Sequence, residues 1–127
     1  MEILIIDDEP LVAKTLGRLL RPHSVRIIEP STKALETVCE GTYDLIFCDL
    51  MMPGVSGPQL YTSACEKKPE LADQFVFITG GAFSGSCEEF LEQNTIRVLY
   101  KPFDRNALQE IVEAAVQTAV ARDVAGE

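Results

Sequence analysis

Asp44-Leu45-Ile46-Phe47-Cys48-Asp49-Leu50-Met51-Met52-Pro53-Gly54 is the stretch on which the reading of this chain turns. The apolar run Leu45 to Cys48 is too short for a helix and rich in residues that suit a buried strand. It ends abruptly in an acid, Asp49, and Pro53, Gly54 and Gly57 then break regular structure. A carboxylate at the exit of a buried strand, followed by a loop, is well placed for chemistry in an α/β protein. Such a group can be a nucleophile, a metal ligand or both, and its partners elsewhere in the chain decide which.

Working outward, strands and helices alternate. Ile3 to Ile6 reads as a strand buried on both faces, ending in Asp7-Asp8-Glu9. Pro10 suits the first turn of a helix with Leu11, Val12, Leu16, Leu19 and Leu20 at helical spacing, closed by Arg21-Pro22-His23. Val25 to Ile28 is a second strand. Pro30-Ser31-Thr32 opens a helix with Ala34, Leu35 and Val38 on one face and Gly41 as its C-cap. Gly57-Pro58 starts a helix over Gln59 to Glu66, and Lys67-Lys68 suits the negative end of its dipole. Phe75 to Ile78 is the fourth strand, and Ser86-x-x-Glu89 is a capping box for the next helix. Ile96 to Tyr100 is the fifth strand. Asp104 is an N-cap for a last helix whose face is Leu108, Ile111, Val112, Ala115, Val116 and Ala119. About five strands alternating with helices predict an α/β domain, a doubly wound parallel sheet with helices on both faces. The domain is expected over residues 1–121, with 122–127 a frayed tail.

Composition narrows the function. The chain has 127 residues, enough for one core. Its net charge of −9 argues against nucleic-acid binding. No apolar run approaches the ~20 residues of a membrane span, and Met1 to Asp8 lacks the basic flank of a secretory signal. Cys39, Cys48, Cys65 and Cys87 show no C-x-x-C spacing, so they read as reduced thiols of a cytoplasmic protein rather than a zinc site. His23, the one histidine, falls in a turn and suits the surface.

The strand ends carry the chemistry. The first gives Asp7 and Asp8, the third Asp49, the fourth Thr79 and the fifth Lys101. Open parallel sheets bind ligands outside the carboxyl ends of their strands, so these residues are expected to converge in one crevice. Three clustered carboxylates repel unless a cation intervenes. Magnesium, or manganese in its place, accepts carboxylate oxygens, waters and phosphate oxygens. Asp8 and Asp49 are the expected direct ligands, Asp7 acts through water, and the backbone carbonyl of Met51 fills another position. Asp49 is then a nucleophile toward phosphorus. Lys101 would neutralise the transferred phosphoryl group, the Thr79 hydroxyl would donate to it, and Gly80 would leave it room.

Together, Ile5-Ile6-Asp7-Asp8-Glu9, Asp49-x-Met-Met-Pro53-Gly-x-x-Gly57, Thr79-Gly80 and Lys101-Pro102-Phe103 resemble the receiver domain of two-component response regulators. The resemblance runs from about Glu2 to about Ala121, with the motifs in the right order and spacing. It implies a CheY-like, flavodoxin-like sheet of strand order 2-1-3-4-5. It also implies phosphoryl transfer to Asp49 from a sensor histidine kinase or a histidine phosphotransfer domain, and a downstream protein partner that the phosphate switches. The Phe77-Ile78-Thr79-Gly80-Gly81-Ala82-Phe83 stretch also resembles receivers fused to hybrid histidine kinases.

One position departs from that pattern. The family usually carries a switching aromatic three residues before the lysine, and here the position holds Val98, with Tyr100 on the same face two residues on. The conformational output is therefore expected in the loop Gly80 to Gly85, whose glycines cost little to rearrange. Two other functions compete. A haloacid-dehalogenase-type phosphatase also uses a strand-end aspartate but wants a second acid where this chain has Met51. A pseudo-receiver scaffold would need none of the intact acids, Thr79 or Lys101.

Overall fold

The computed structural model describes residues 1–52, 54–80, 85–94 and 96–125, excepting the side chains of Val55, Ser86 and residues 122–125. Five parallel strands form one sheet: β1 (Glu2–Ile6), β2 (Ser24–Ile28), β3 (Leu45–Asp49), β4 (Phe75–Thr79) and β5 (Arg97–Tyr100), in the order β2-β1-β3-β4-β5. The helices between and after them are α1 (Pro10–Leu19), α2 (Ala34–Glu40), α3 (Gly57–Lys67), α4 (Gly85–Asn94) and α5 (Arg105–Ala125). The expected strand order is the observed one. β1 and β3 pair Ile6 with Cys48, and β3 and β4 pair Asp49 with Ile78, which brings the three strand exits side by side.

The central strands are apolar throughout because both of their faces are covered. Alternation sends Leu4, Ile6, Ile46, Cys48, Phe75 and Phe77 into one core, with Val38 of α2 and Leu60 and Ala64 of α3. It sends Ile3, Ile5, Leu45, Phe47, Val76, Ile78 and Leu99 into the other, with Leu16 of α1 and Leu108, Ile111 and Ala115 of α5. β2 and β5 are edge strands, and their burial is correspondingly partial.

Several boundaries differ from expectation. α3 starts at Gly57, not Gln59, because the Ser56 hydroxyl accepts from the Gln59 N–H at 3.3 Å and caps the helix there. α2 starts at Ala34, since Ser31 Oγ accepts from the Lys33 N–H and holds residues 31–33 in a turn. Gly41 does take the C-cap position, but in an extended conformation (φ −81°) rather than a left-handed one. A Cβ there would collide with the far end of the Tyr43 ring, so a larger residue would fit only if that side chain moved. Val116, expected on the inner face of α5, is 37% exposed at the edge of the apolar stripe. α5 runs on to Ala125, past the expected fraying point at Ala121, because alanine and arginine favour helix and propagation continues cheaply once a helix is formed. Asp104 does cap this helix, its Oδ1 accepting from the Asn106 N–H at 3.0 Å. α4 already begins at Gly85, so Ser86, expected as its cap, falls inside the helix, and residues 81–84 of the expected output loop lie outside the described residues.

Candidate functional site

The parallel pairing of β1 with β3 places Asp7 and Asp49 next to each other, each one step past the Ile6–Cys48 pair. Both are buried, at 2% and 5% exposure. Their oxygens divide their duties. Asp7 Oδ1 accepts from the Glu9 N–H at 2.9 Å and shapes the turn into α1, while Asp7 Oδ2 is buried with no hydrogen-bond partner. Asp49 Oδ1 accepts from the Met51 N–H at 3.3 Å. Lys101 reaches in from the far end of β5, its own N–H donating to the Thr79 carbonyl at 2.8 Å. Its Nζ lies 3.7 Å from Asp7 Oδ2, 3.7 Å from Asp49 Oδ2 and 3.4 Å from Glu9 Oε1.

One ammonium cannot neutralise three carboxylates in a partly dry site. Burial, and after it the negative charge of Asp7, pushes the Asp49 carboxyl up to about 7, against the smaller pull of Lys101 and the Met51 N–H. Burial likewise raises Asp7. Burial draws the Lys101 ammonium down, but Asp49, Asp7 and Glu9 together hold it above its ordinary range. Oxygens of Asp7, Asp8, Glu9 and Asp49 all lie within 4.8 Å of one another. An all-oxygen donor set of excess negative charge, with one buried oxygen lacking a hydrogen-bond partner, is what a hard divalent cation takes. Asp8 and Glu9 are exposed, so a cation would reach the site from solvent.

The structure thus brings Asp7, Asp8, Asp49 and Lys101 together. Thr79, 3% exposed, ends the neighbouring strand β4. Met51 is 53% exposed, and its amide rather than its side chain faces the acid. Two residues join the site without having been given a role from sequence. Glu9 shares the ammonium of Lys101, and its signal was its place in the Asp-Asp-Glu run. Gly57 does more than break the chain. A Cβ there would stand 2.8 Å from the Asp49 carbonyl oxygen, 3.1 Å from that of Leu50 and 3.0 Å from the Phe77 ring. Only glycine lets α3 begin against the exit of β3. A Cβ on Gly80, by contrast, would meet nothing within 4 Å.

Comparison with known proteins agrees with this geometry. A family model described as the response regulator receiver domain matches residues 3–113. The chain is 31% identical over 120 residues to the positive alginate biosynthesis regulatory protein of Pseudomonas aeruginosa, covering 91% of this chain and 47% of that protein. It is 29% identical to the transcriptional regulatory protein ResD of Bacillus subtilis, covering 93% and 49%. The chain therefore spans about half the length of these curated relatives. Among solved structures, the signal receiver domain of an HD domain-containing protein from Pseudomonas fluorescens Pf-5 superposes with a TM-score of 0.79 at 22% identity, covering 96% of this chain and 90% of that one. The receiver domain of the sensor histidine kinase PA1611 from P. aeruginosa PAO1, solved with magnesium coordinated in its active-site cleft, gives 0.73 at 24% identity, covering 91% and 97%. With its five-stranded order, its strand-end acids and a family match over most of its length, this chain belongs to the response regulator receiver domains of two-component signalling.

Proposed function

We propose that Asp49 is the phosphoacceptor of this receiver, taking a phosphoryl group from a phosphohistidine of a sensor kinase or histidine phosphotransfer domain. The observation that carries the reading is the placement of Asp49. Its carboxylate is buried at a strand exit, with Oδ1 held by the Met51 amide and Oδ2 facing the Lys101 ammonium. Oδ2 is then the attacking oxygen. Its bond to phosphorus forms as the phosphorus–nitrogen bond to the donor imidazole breaks, and the imidazole leaves with that electron pair. Lys101, 3.7 Å from Oδ2, stands where the charge of the transferred group would arrive, and Thr79 and Gly80 at the end of β4 would flank it.

Asp8 and Asp49 would hold a magnesium or manganese ion directly, with Asp7 engaged through water and the Met51 carbonyl as a further donor. Such an ion supplies charge neutralisation for the carboxylates and the incoming phosphoryl oxygens. The chain's own part is to keep Asp49 aimed, through the Met51 amide, and to hold Lys101 in reach. The same residues would assist hydrolysis of the aspartyl phosphate, so the domain acts on its own phosphorylation state rather than on a separate substrate. Residues 1–121 are the receiver unit in this reading, its output is an altered affinity for a downstream protein, and its setting is cytoplasmic. No described helix is long and apolar enough to cross a membrane.

The test is phosphorylation with acetyl phosphate and magnesium, then borohydride trapping and peptide mapping. One modification, on Asp49, is expected. Label on another acid of the wild-type protein would refute the assignment.

A further inference from the structure

The groove between the C-terminal turn of α1 and the first turns of α5, about 390 Å³ in volume, is walled by arginines on both sides. Arg18 and Arg21 stand on the α1 side and Arg105 on the α5 side, all three exposed, and no carboxylate among the described residues lines the groove. Its floor is apolar, made by Leu20 and Leu108, which are buried, and by half-buried Val112.

These arginines differ from Arg26 and Arg97. Arg26 donates to the Tyr43 hydroxyl at 3.3 Å and Arg97 to the Asp73 carbonyl at 3.3 Å. Among the described residues, Arg18, Arg21 and Arg105 have neither an ion pair nor a side-chain hydrogen bond. That is notable in a chain with 20 acids against 11 basic residues. Glu113, one helical turn beyond Gln109 on α5, accepts from the Gln109 amide at 3.0 Å. An acidic protein that gathers three unpaired guanidinium groups around an apolar trough presents a surface complementary to anions, locally opposite to its overall charge.

The arrangement also says what shape of anion fits. Cations stand on both walls and the apolar surface lies between them. A small phosphate monoester carries its charge at one end, and a nucleic acid would meet the net charge of −9. An amphipathic helix whose apolar stripe is flanked by acids on both sides matches wall, floor and wall. We propose that this α1–α5 groove docks an acidic amphipathic helix of a protein partner, with aliphatic side chains on Leu108 and Val112 and carboxylates on Arg18, Arg21 and Arg105. The inference does not depend on the phosphoryl chemistry of Asp49.

The probe is a synthetic helical peptide with a leucine stripe flanked on both sides by glutamate, compared with the same peptide carrying glutamine. Binding is followed by anisotropy and by the methyl resonances of Leu108 and Val112. Saturable binding by the glutamate peptide is expected, weakening as salt rises. The double variant Arg21→Glu/Arg105→Glu, with its fold checked by circular dichroism, should lose about tenfold or more in affinity. Lys67→Glu on α3 and Asp49→Asn should bind as wild type. The proposal is overturned by no binding, by equal binding of the two peptides, by an unaffected double variant, or by loss of binding in Asp49→Asn. It is equally overturned if inorganic pyrophosphate or a DNA oligonucleotide binds the same methyls as tightly.

Discussion

Lys101 Nζ lies 3.7 Å from Asp49 Oδ2 although Asp49 ends β3 and Lys101 directly follows β5, strands separated by β4. The same nitrogen is 3.7 Å from Asp7 and 3.4 Å from Glu9, so in the metal-free protein this one ammonium is the site's countercharge. Lys101→Ala should therefore leave magnesium binding intact or tighten it, because the lysine's charge opposes the metal's. The rate of phosphorylation by acetyl phosphate should fall roughly ten- to a hundredfold, as a developing phosphoryl charge loses its cationic partner. Stopped-flow and metal titration on one protein sample separate the two. Weaker metal binding with unchanged phosphorylation would reverse the role assigned to Lys101.

Metal binding itself should depend on Asp8 more than its exposure suggests. Its carboxylate falls within the 4.8 Å cluster with Asp7, Glu9 and Asp49. Asp8→Ala should remove most of the magnesium affinity, read by calorimetry or by thermal shift. At a hundred times Kd, bound metal stabilises by about 2.7 kcal/mol, so the wild-type shift is readily seen. Asp49→Asn should also weaken the metal and abolish phosphorylation altogether. Unchanged magnesium affinity in Asp8→Ala would sink the site as drawn.

The raised carboxyl of Asp49 fixes a sign for the pH dependence of the metal-free protein. Its pKa moves from 3.8 to about 7 on folding. Between those values the folded chain binds a proton that the unfolded chain has released, so stability falls as pH rises through that window. Asp7, raised by the same burial, adds in the same direction. Magnesium selects the ionised acids, so its stabilisation should grow as the metal-free protein weakens. Melting curves at about pH 5 and pH 8, with and without magnesium, should show the larger metal-induced rise at the higher pH. Asp49→Asn should flatten much of the wild-type slope. A slope unchanged in that variant would show that another group carries it.

Gly57 and Gly80 offer a paired test of how the strand exits are built. Gly57→Ala would press a methyl to 2.8 Å from the Asp49 carbonyl oxygen, a backbone atom that can yield only by shifting β3 or α3. A cost of about 1–3 kcal/mol is expected, with reduced phosphorylation because the same shift moves Asp49. At Gly80 a Cβ meets nothing within 4 Å. Gly80→Ala should therefore melt within about 1 kcal/mol of wild type, yet phosphorylate more slowly because the methyl intrudes where a phosphoryl oxygen would sit. Equal destabilisation by both substitutions would contradict this account.

The fold was legible because its signals are local. Runs such as Ile3–Ile6 and Phe75–Ile78 are apolar on both faces, and alternation with helical spacing leaves few architectures. The strand-end acids were legible because a charge directly after a buried strand has few uses. What sequence could not show depends on three-dimensional proximity. Glu9 meets Lys101 across 92 positions. The Tyr43 ring lies where a Cβ on Gly41 would go, and the Asp49 and Leu50 carbonyls where one on Gly57 would go, while sequence offered only a helix C-cap for the first and a chain break for the second. The unpaired arginines of the α1–α5 groove look like ordinary solvated side chains until their partners are sought.

Val98 shapes the last prediction, which concerns how a phosphorylation signal would leave the site. β5 pairs Val98 with Phe77 and Tyr100 with Thr79, so the valine stands two residues short of the threonine's own partner. Val98 is half-buried and has no ring to swing into space vacated by an inward-moving Thr79 hydroxyl, while Tyr100 is 54% exposed. A second connection leads toward α4. The Met51 amide holds Asp49 Oδ1, and the Met51 sulfur lies 3.9 Å from the Cys87 thiol near the start of α4. Met51 thus touches both Asp49 and the element that follows β4, and a shift of the Asp49 carboxylate is expected to reach α4 through it. With beryllofluoride and magnesium as the phosphoryl mimic, the largest backbone NMR shifts outside the acid cluster should fall between Gly80 and Phe90, with only small changes around Val98. Within that span, Cys87 to Phe90 of α4 carry the test. Met51→Ala should reduce the α4 shifts while leaving phosphorylation of Asp49 in place, because it keeps the amide and removes only the sulfur contact. A two-state displacement of β5 with α4 unchanged would show that the signal takes the aromatic route despite Val98.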